Sequence, residues 1–194
     1  QIRTGSFEQW SAVDLQPQEK RDGPMNFLLQ ALSNWAMDSP NTIAFTTGGE
    51  TISYRRLRRR VGGLATETAM LPERVGLLAP NGIDWIVADL AMWANGRTLV
   101  PLPEFFADGQ LAHILSDGGI DAVLTTEERA ARVQALGARP VIIGESESEM
   151  PDPSSGDGAR IIYTSGSTGN PKGVVLGPAQ LQNTCGGLLA AARP

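Results

Sequence analysis

The sequence predicts an α/β protein: a parallel sheet with helices on both faces, assembled from βαβ repeats. From Arg74 onward, short continuous apolar runs alternate with segments of helical period. That is the pattern of strands buried on both sides and joined by crossover helices. Glycine, proline and asparagine stand at the joints between them, where turns and helix ends require special backbone angles.

Residues 1–25 are polar, lack a clear period and read as a lead-in. Over residues 26–37, Phe27, Leu28, Ala31, Leu32 and Trp35 recur at helical spacing, and Pro40 stops the pattern. Residues 42–47 read as a strand, Gly48-Gly49 as a turn and residues 50–53 as the returning strand. Ser53 is placed to cap a helix that carries Leu57, Val61, Leu64 and Ala65 on one face. Residues 75–79 form a short apolar strand ending at Pro80-Asn81-Gly82, and 83–95 a helix closed by Gly96. Strands over 98–101, 121–124 and 140–143 then alternate with helices over 111–116 and 127–136. Residues 26–144 are thus expected as one α/β unit, without internal repeats. Residues 145–158 are rich in Glu, Ser, Pro and Asp, hold no basic residue, and read as an acidic flexible connector. A strand over 159–163, a polar glycine-rich loop, a strand over 173–176 and a helix after Pro178 complete the chain, so 159–194 is expected to hold a hairpin and a truncated helix.

The 194 residues are 41 % hydrophobic, with 22 glycines and 13 prolines, which fits a packed core and excludes collagen, coiled coil and full disorder. Sixteen Lys and Arg stand against 21 Asp and Glu, for a net charge of −5. Such a chain has no global attraction to nucleic acid or anionic lipid. The most apolar stretch, residues 86–94, is interrupted by Asp89 and falls far short of the roughly 20 residues of a membrane span. No secretory signal opens the sequence. The one cysteine, Cys185, makes no internal disulfide, and a reducing cytoplasm is expected. The chain opens at Gln1 and stops at Pro194 after the apolar run 188–192. Both ends read as cut, and that run is expected to expose surface through which a homodimer forms.

The chemistry concentrates in residues 163–173, Tyr-Thr-Ser-Gly-Ser-Thr-Gly-Asn-Pro-Lys-Gly. Gly166 and Gly169 relax the backbone so that amide N–H groups can converge. Thr164, Ser165, Ser167 and Thr168 add four hydroxyl donors, and Lys172 a mobile positive charge. Converging N–H and O–H donors with one cation make an anion nest suited to a polyphosphate. It is not a Walker A loop, because Pro171-Lys172-Gly173 leads into Val174-Val175, a strand, rather than into a helix.

At these residues the sequence closely resembles the adenylate-forming, or AMP-binding, superfamily of acyl- and aryl-CoA synthetases, amino-acid adenylation domains and luciferases. The run from Tyr163 to Gly173 resembles the long and specific phosphate-loop signature of that superfamily. Thr51-Ile52-Ser53-Tyr54 with Leu57, then Ala94-Asn95-Gly96 with Val100-Pro101-Leu102, resemble its earlier elements and stand in the same order. The helix around residues 110–115 fits as well, so the resemblance covers roughly residues 26–190.

The resemblance implies the N-terminal part of the large domain of an adenylate-forming enzyme. It implies a cytoplasmic ligase, acyl-CoA synthetase-like, in which a carboxylate attacks the α-phosphate of ATP and a thiol then displaces AMP. ATP, Mg2+ with ligands mostly outside this chain, and CoA as thiol acceptor are the implied cofactors. The phosphate-holding role falls on Thr164, Ser165, Gly166, Ser167, Thr168, Gly169 and Lys172, with Lys172 also catalytic by neutralising the leaving pyrophosphate. No resident metal site is implied. Where many members carry a Thr/Ser-His pair, this chain has Gly177-Pro178. The later family elements do not follow, so the chain alone is expected to be inactive and its partners, a small carboxylate, ATP and CoA, to belong to the intact parent. Two alternatives stand beside this: an amino-acid or aryl-acid adenylation domain loading a carrier protein, and a truncated non-enzymatic homologue.

Other features carry blander readings. Arg55, Arg56, Arg58, Arg59 and Arg60 crowd one helix and are expected to form a solvated face rather than a nucleic-acid patch. His113, the only histidine, has no second ligand one turn away. Cys185 carries no mark of a nucleophile. Trp85 and Trp93 fit packing, and Phe105-Phe106 stands either at a substrate or over the sheet.

Overall fold

The computed structural model describes residues 26–152, 158–164, 171–177 and 179–181. Helix α1 (Asn26–Asp38) leads into a hairpin of β1 (Ile43–Thr47) and β2 (Glu50–Ser53). Its turn residues Gly48 and Gly49 both have positive φ, 56° and 90°, as a two-residue hairpin of favoured twist demands. Ser53 then caps α2 (Tyr54–Glu67), its hydroxyl accepting the Arg56 N–H at 3.4 Å. Leu57, Val61, Leu64 and Ala65 form the buried face of α2, and the Trp35 ring stacks on Tyr54 with centroids 5.4 Å apart.

The alternating region follows as β3 (Arg74–Leu78), α3 (Ile83–Ala94), β4 (Thr98–Pro101), α4 (Asp108–Gly118), β5 (Ala122–Thr125), α5 (Glu127–Ala135) and β6 (Arg139–Ile142). Among the described residues the last two strands are β7 (Arg160–Thr164) and β8 (Lys172–Leu176). Left-handed glycines, Gly96 at φ 62° and Gly119 at φ 59°, close α3 and α4. Helix α4 begins three residues ahead of its apolar pattern. Its first turn is polar and is started by the Gln110 side chain, which accepts the Ala107 N–H at 3.1 Å.

Among the described residues six strands form one sheet in the order β6-β5-β3-β4-β7-β8. The first five run parallel and β8 pairs antiparallel with β7. The sheet is therefore mixed and mostly parallel, with the final hairpin at one edge. Alternate residues face opposite ways. Val75, Leu77, Leu99, Ala122 and Leu124 pack with Leu29 of α1, Leu57 and Val61 of α2 and Val87 of α3. Leu78, Val100, Val123 and Ile161 pack with Leu111 and Ile114 of α4 and Val133 of α5. Among the described residues no helix is long and apolar enough to cross a membrane.

The first half of the acidic segment lies along α2. Ser148 donates its N–H to the Arg59 carbonyl at 3.0 Å, and the Met150 side chain enters the core beneath α2. Arg58 pairs with Glu149 at 2.7 Å, Arg59 with Glu147 at 3.0 Å, and Arg56 with Glu145 and Glu147 at 3.4 Å. Arg60 is buried, bonding Asp84 at 2.9 Å and the Gly144 carbonyl at 3.0 Å. The expectation of a simply solvated arginine face is corrected here: these arginines hold a strap. Gly62 and Gly63 make room for it, since a Cβ would stand 2.5 Å from the Ser148 carbonyl oxygen and 2.1 Å from that of Ser146.

Gly63→Ala is therefore expected to lower the unfolding free energy by about 1–3 kcal/mol, because the new methyl meets backbone rather than a mobile side chain. Arg58→Ala is expected to cost under about 1 kcal/mol, as an exposed pair does. Urea unfolding measures both. The Arg58 hydrogen bond and charge hold the Glu149 carboxyl below its ordinary 4.5. A depressed carboxylate contributes stability above its unfolded value and loses it as pH falls. The strap is thus expected to loosen in acid, read as falling protection of the amides at residues 145–150 relative to their intrinsic exchange rate at each pH.

Candidate functional site

The candidate site is built on β7 and β8. Thr164 ends β7, Lys172 opens β8, and the two are direct partners in the antiparallel register. Directly opposed residues project to the same face of a sheet, so a hydroxyl and an ammonium start side by side, both exposed. Ser165, Gly166, Ser167, Thr168 and Gly169 lie outside the described residues. Because β7 runs parallel to β4, its end lies along the same sheet edge as the carboxyl ends of β3, β4 and β5.

Two side chains fix β7, one on each face. On the α3 side, Arg160 is 5 % exposed. Its Nε donates to Asp89 Oδ1 at 2.7 Å, Nη2 to the Asp89 carbonyl at 3.0 Å and Nη1 to the Ala159 carbonyl at 3.1 Å. The guanidinium also lies 4.0 Å above the Trp93 ring, a cation–π contact. Burial pushes the Asp89 carboxyl up and works against the Arg160 charge, and each is offset by the other's opposite charge. Gly158 lets the chain pass close to Trp93, since a Cβ there would lie 3.0 Å from the indole and 2.7 Å from the Arg97 carbonyl oxygen.

On the α4 side, the Tyr163 hydroxyl donates to Asp117 Oδ2 at 2.6 Å. The Tyr163 ring lies across Gly173, where a Cβ would stand 3.1 Å from Cζ. The glycine of Pro-Lys-Gly is thereby explained: a larger residue opposite Tyr163 would lift its ring.

Two crevices open on the carboxyl edge. Strands β3 and β5 are neighbours, and the helices that follow them, α3 and α5, pack on opposite faces, the arrangement that leaves a gap at a strand-order reversal. A cavity of about 270 Å³ lies there, between Asn81, Asp84, Glu50 and Thr126. A second, of about 300 Å³, lies at the ends of β3 and β4 between Trp85, Pro101, Pro103 and Phe105. Phe105 is exposed and Phe106 buried, the two rings edge to face at 5.0 Å. Arg132 steadies this loop through Asp108 at 2.8 Å and the Phe106 carbonyl at 3.0 Å.

His113 is half-buried on α4. Among the described residues no group of three or more His, Cys, Asp or Glu side chains could hold a metal ion. Cys185 and the run 188–192 lie outside the described residues. The sequence reading missed Arg160, Asp89 and Asp117. One signal was present: Asp89 and Arg160 are each a single charge inside an apolar run, and a buried charge requires a partner.

Burial first, then the hydrogen bond and charge of Asp117, push the Tyr163 phenol above its ordinary 10. A raised folded-state value contributes stability that is present below the unfolded value and is lost as pH rises. Stability is thus expected to decline in alkali above about pH 10. Tyr163→Phe is expected to flatten that decline and to cost about 1.5–3 kcal/mol at neutral pH, the worth of a bond to a charged acceptor. Urea titrations at several pH values measure both.

The sequence profile of the AMP-binding enzyme family matches residues 32–193. Feruloyl-CoA synthase of an Amycolatopsis species is 33 % identical over 172 residues, covering 80 % of this chain and 35 % of that protein. Tyrocidine synthase 3 of Brevibacillus parabrevis is 31 % identical over 169 residues, covering 80 % of this chain and 3 % of that protein. The o-succinylbenzoate CoA synthetase of Bacillus subtilis, solved with ATP and magnesium ion, superposes with a TM-score of 0.57 at 22 % identity, covering 73 % of this chain and 41 % of that one. The chain thus spans about a third of one curated relative and a small part of the other. With the family profile matched over most of its length and the mostly parallel α/β sheet in place, the chain belongs to the AMP-binding enzyme family.

Proposed function

We propose that this chain carries the triphosphate-holding part of an ATP-dependent, AMP-forming acid–thiol ligase of the acyl-CoA synthetase kind. The observation that carries the reading is the run Tyr163 to Gly173, with Thr164 and Lys172 opposed where β7 meets β8 at the carboxyl edge of the sheet. In the proposed reaction a carboxylate oxygen attacks the α-phosphorus of ATP and pyrophosphate leaves. A thiol then attacks the acyl carbon and AMP leaves. The hydroxyls of Thr164, Ser165, Ser167 and Thr168 and the amides at Gly166 and Gly169 hold the β- and γ-phosphates. Lys172 balances the charge that grows on the departing pyrophosphate, an electrostatic role. Mg2+, where bound with the nucleotide, would supply further positive charge at the phosphates beside Lys172.

CoA as the thiol is supported by the similarity to feruloyl-CoA synthase. A second reading, transfer to a carrier-protein thiol, is favoured by the similarity to tyrocidine synthase 3. Exchange of labelled pyrophosphate into ATP, dependent on a carboxylic acid, tests the first half-reaction in the protein that contains this chain. Lys172→Ala is expected to slow that exchange by about 10²–10³-fold, as loss of one charge-stabilising donor does. An unchanged rate would remove Lys172 from the site. Formation of a free acyl-CoA on adding CoA separates the two acceptors.

A further inference from the structure

We propose that Arg160 and Tyr163 are positioning residues for nucleotide binding: by fixing β7 to α3 on one face and to α4 on the other, they set where Thr164 and Lys172 stand. The inference rests on the phosphate-holding reading above and adds the supports that place the two residues bracketing the loop.

Among the described residues, β7 pairs with β4 through Leu99 and Arg160, with the Leu99 N–H donating to the Ala159 carbonyl at 2.9 Å, and β8 pairs with β7 alone. That ladder sets the line of the strand, and side chains on its two faces set how it is seated against the helices: Ile161 by apolar packing, Arg160 and Tyr163 by directional bonds. Arg160 prevents a tilt away from α3 through its two bonds to Asp89 and its contact with Trp93. Tyr163 prevents the opposite tilt through Asp117. The two anchors are three residues apart, hence on opposite faces of the strand, and Tyr163 directly precedes Thr164. A packed apolar pair in place of a buried ion pair is often equally or more stable. The directional bonds of Arg160 therefore add a fixed strand position rather than simple cohesion. Misplacing a substrate-holding group by about 1 Å can cost as much as a hundredfold, so the placement bears on the reaction.

The test uses the complete protein and pyrophosphate exchange, with ATP varied at saturating carboxylate and the carboxylate varied at saturating ATP. Two variants are compared with the parent: Tyr163→Phe, which keeps the ring, and the double variant Asp89→Leu with Arg160→Met, which keeps apolar packing. The melting temperature of each is measured alongside. Both variants are expected to raise KM for ATP by about tenfold or more, with KM for the carboxylate unchanged and melting retained in the double variant. Unchanged KM for ATP in both variants, or an equal rise for both substrates, overturns the proposal. Lys172→Ala in the same assay separates the two levels. If it is impaired while the anchor variants are not, the positioning inference fails and the phosphate-holding reading stands. If Lys172→Ala is itself unchanged, Lys172 is removed from the site, and KM for ATP in the anchor variants decides whether β7 is positioned through Thr164.

Discussion

Everything proposed for this chain depends on seating β7. That strand is apolar and buried, yet it must end in a loop of hydroxyls, glycines and one lysine. Ladder hydrogen bonds hold a strand in the plane of its sheet, and contacts on its two faces decide how it sits against the flanking helices. The chain meets this by placing one polar side chain on each face of β7 and a partner on each flanking helix. Both partners are carboxylates, and both are reached only by a side chain of definite length and direction. The cost is desolvation, visible in the upward push on the Asp89 carboxyl; the return is a strand whose end point is fixed.

The same logic recurs at lower burial in the strap over α2. Five acids of residues 145–158 equal the excess of 21 acids over 16 bases, which makes that segment look like a free negative tail. In space its first half meets the densest positive charge in the chain, and Glu145, Glu147 and Glu149 lie against Arg56, Arg58 and Arg59. A net charge says where charge is unbalanced along the sequence and nothing about where it is balanced in the fold. The exposed pairs contribute little individually. What locates the strap is Gly62 and Gly63 beneath its backbone and Met150 in the core.

How much of this was legible in the sequence follows from the range of each interaction. Ser53 and Gly96 act within a turn of their own position, and each marks its boundary as expected. The apolar face of α2 is a local period and is read without difficulty. The first turn of α4 is polar and escapes a reading based on hydrophobic spacing. Strand order is invisible locally, because β5 lies beside β3 rather than β4 only once the crossovers are laid on opposite faces. In the proposed site, the residue types of the loop point to a polyphosphate ligand without reference to the fold. The anchors do not: Arg160 and Asp89 are 71 residues apart, and Tyr163 and Asp117 are 46. Gly173 is intermediate, a conspicuous glycine whose reason, the Tyr163 ring, lies across a strand pair.

The fold also explains why the proposed site lies on one edge. Parallel strands end together, so the loops after β3, β4, β5 and β7 all emerge on the same side of the sheet. Successive crossovers on opposite faces open crevices between those loops, here between Asn81 and Thr126 and between Trp85 and Phe105. An antiparallel β8 adds what a fully parallel sheet lacks: it returns the chain to that edge immediately, so that Lys172 starts directly across from Thr164. A parallel continuation would have carried the lysine away over a crossover helix. The reversal of one strand is thus what lets a single short loop be bracketed by a hydroxyl and a cation, and the two anchors on β7 are what keep that bracket in place.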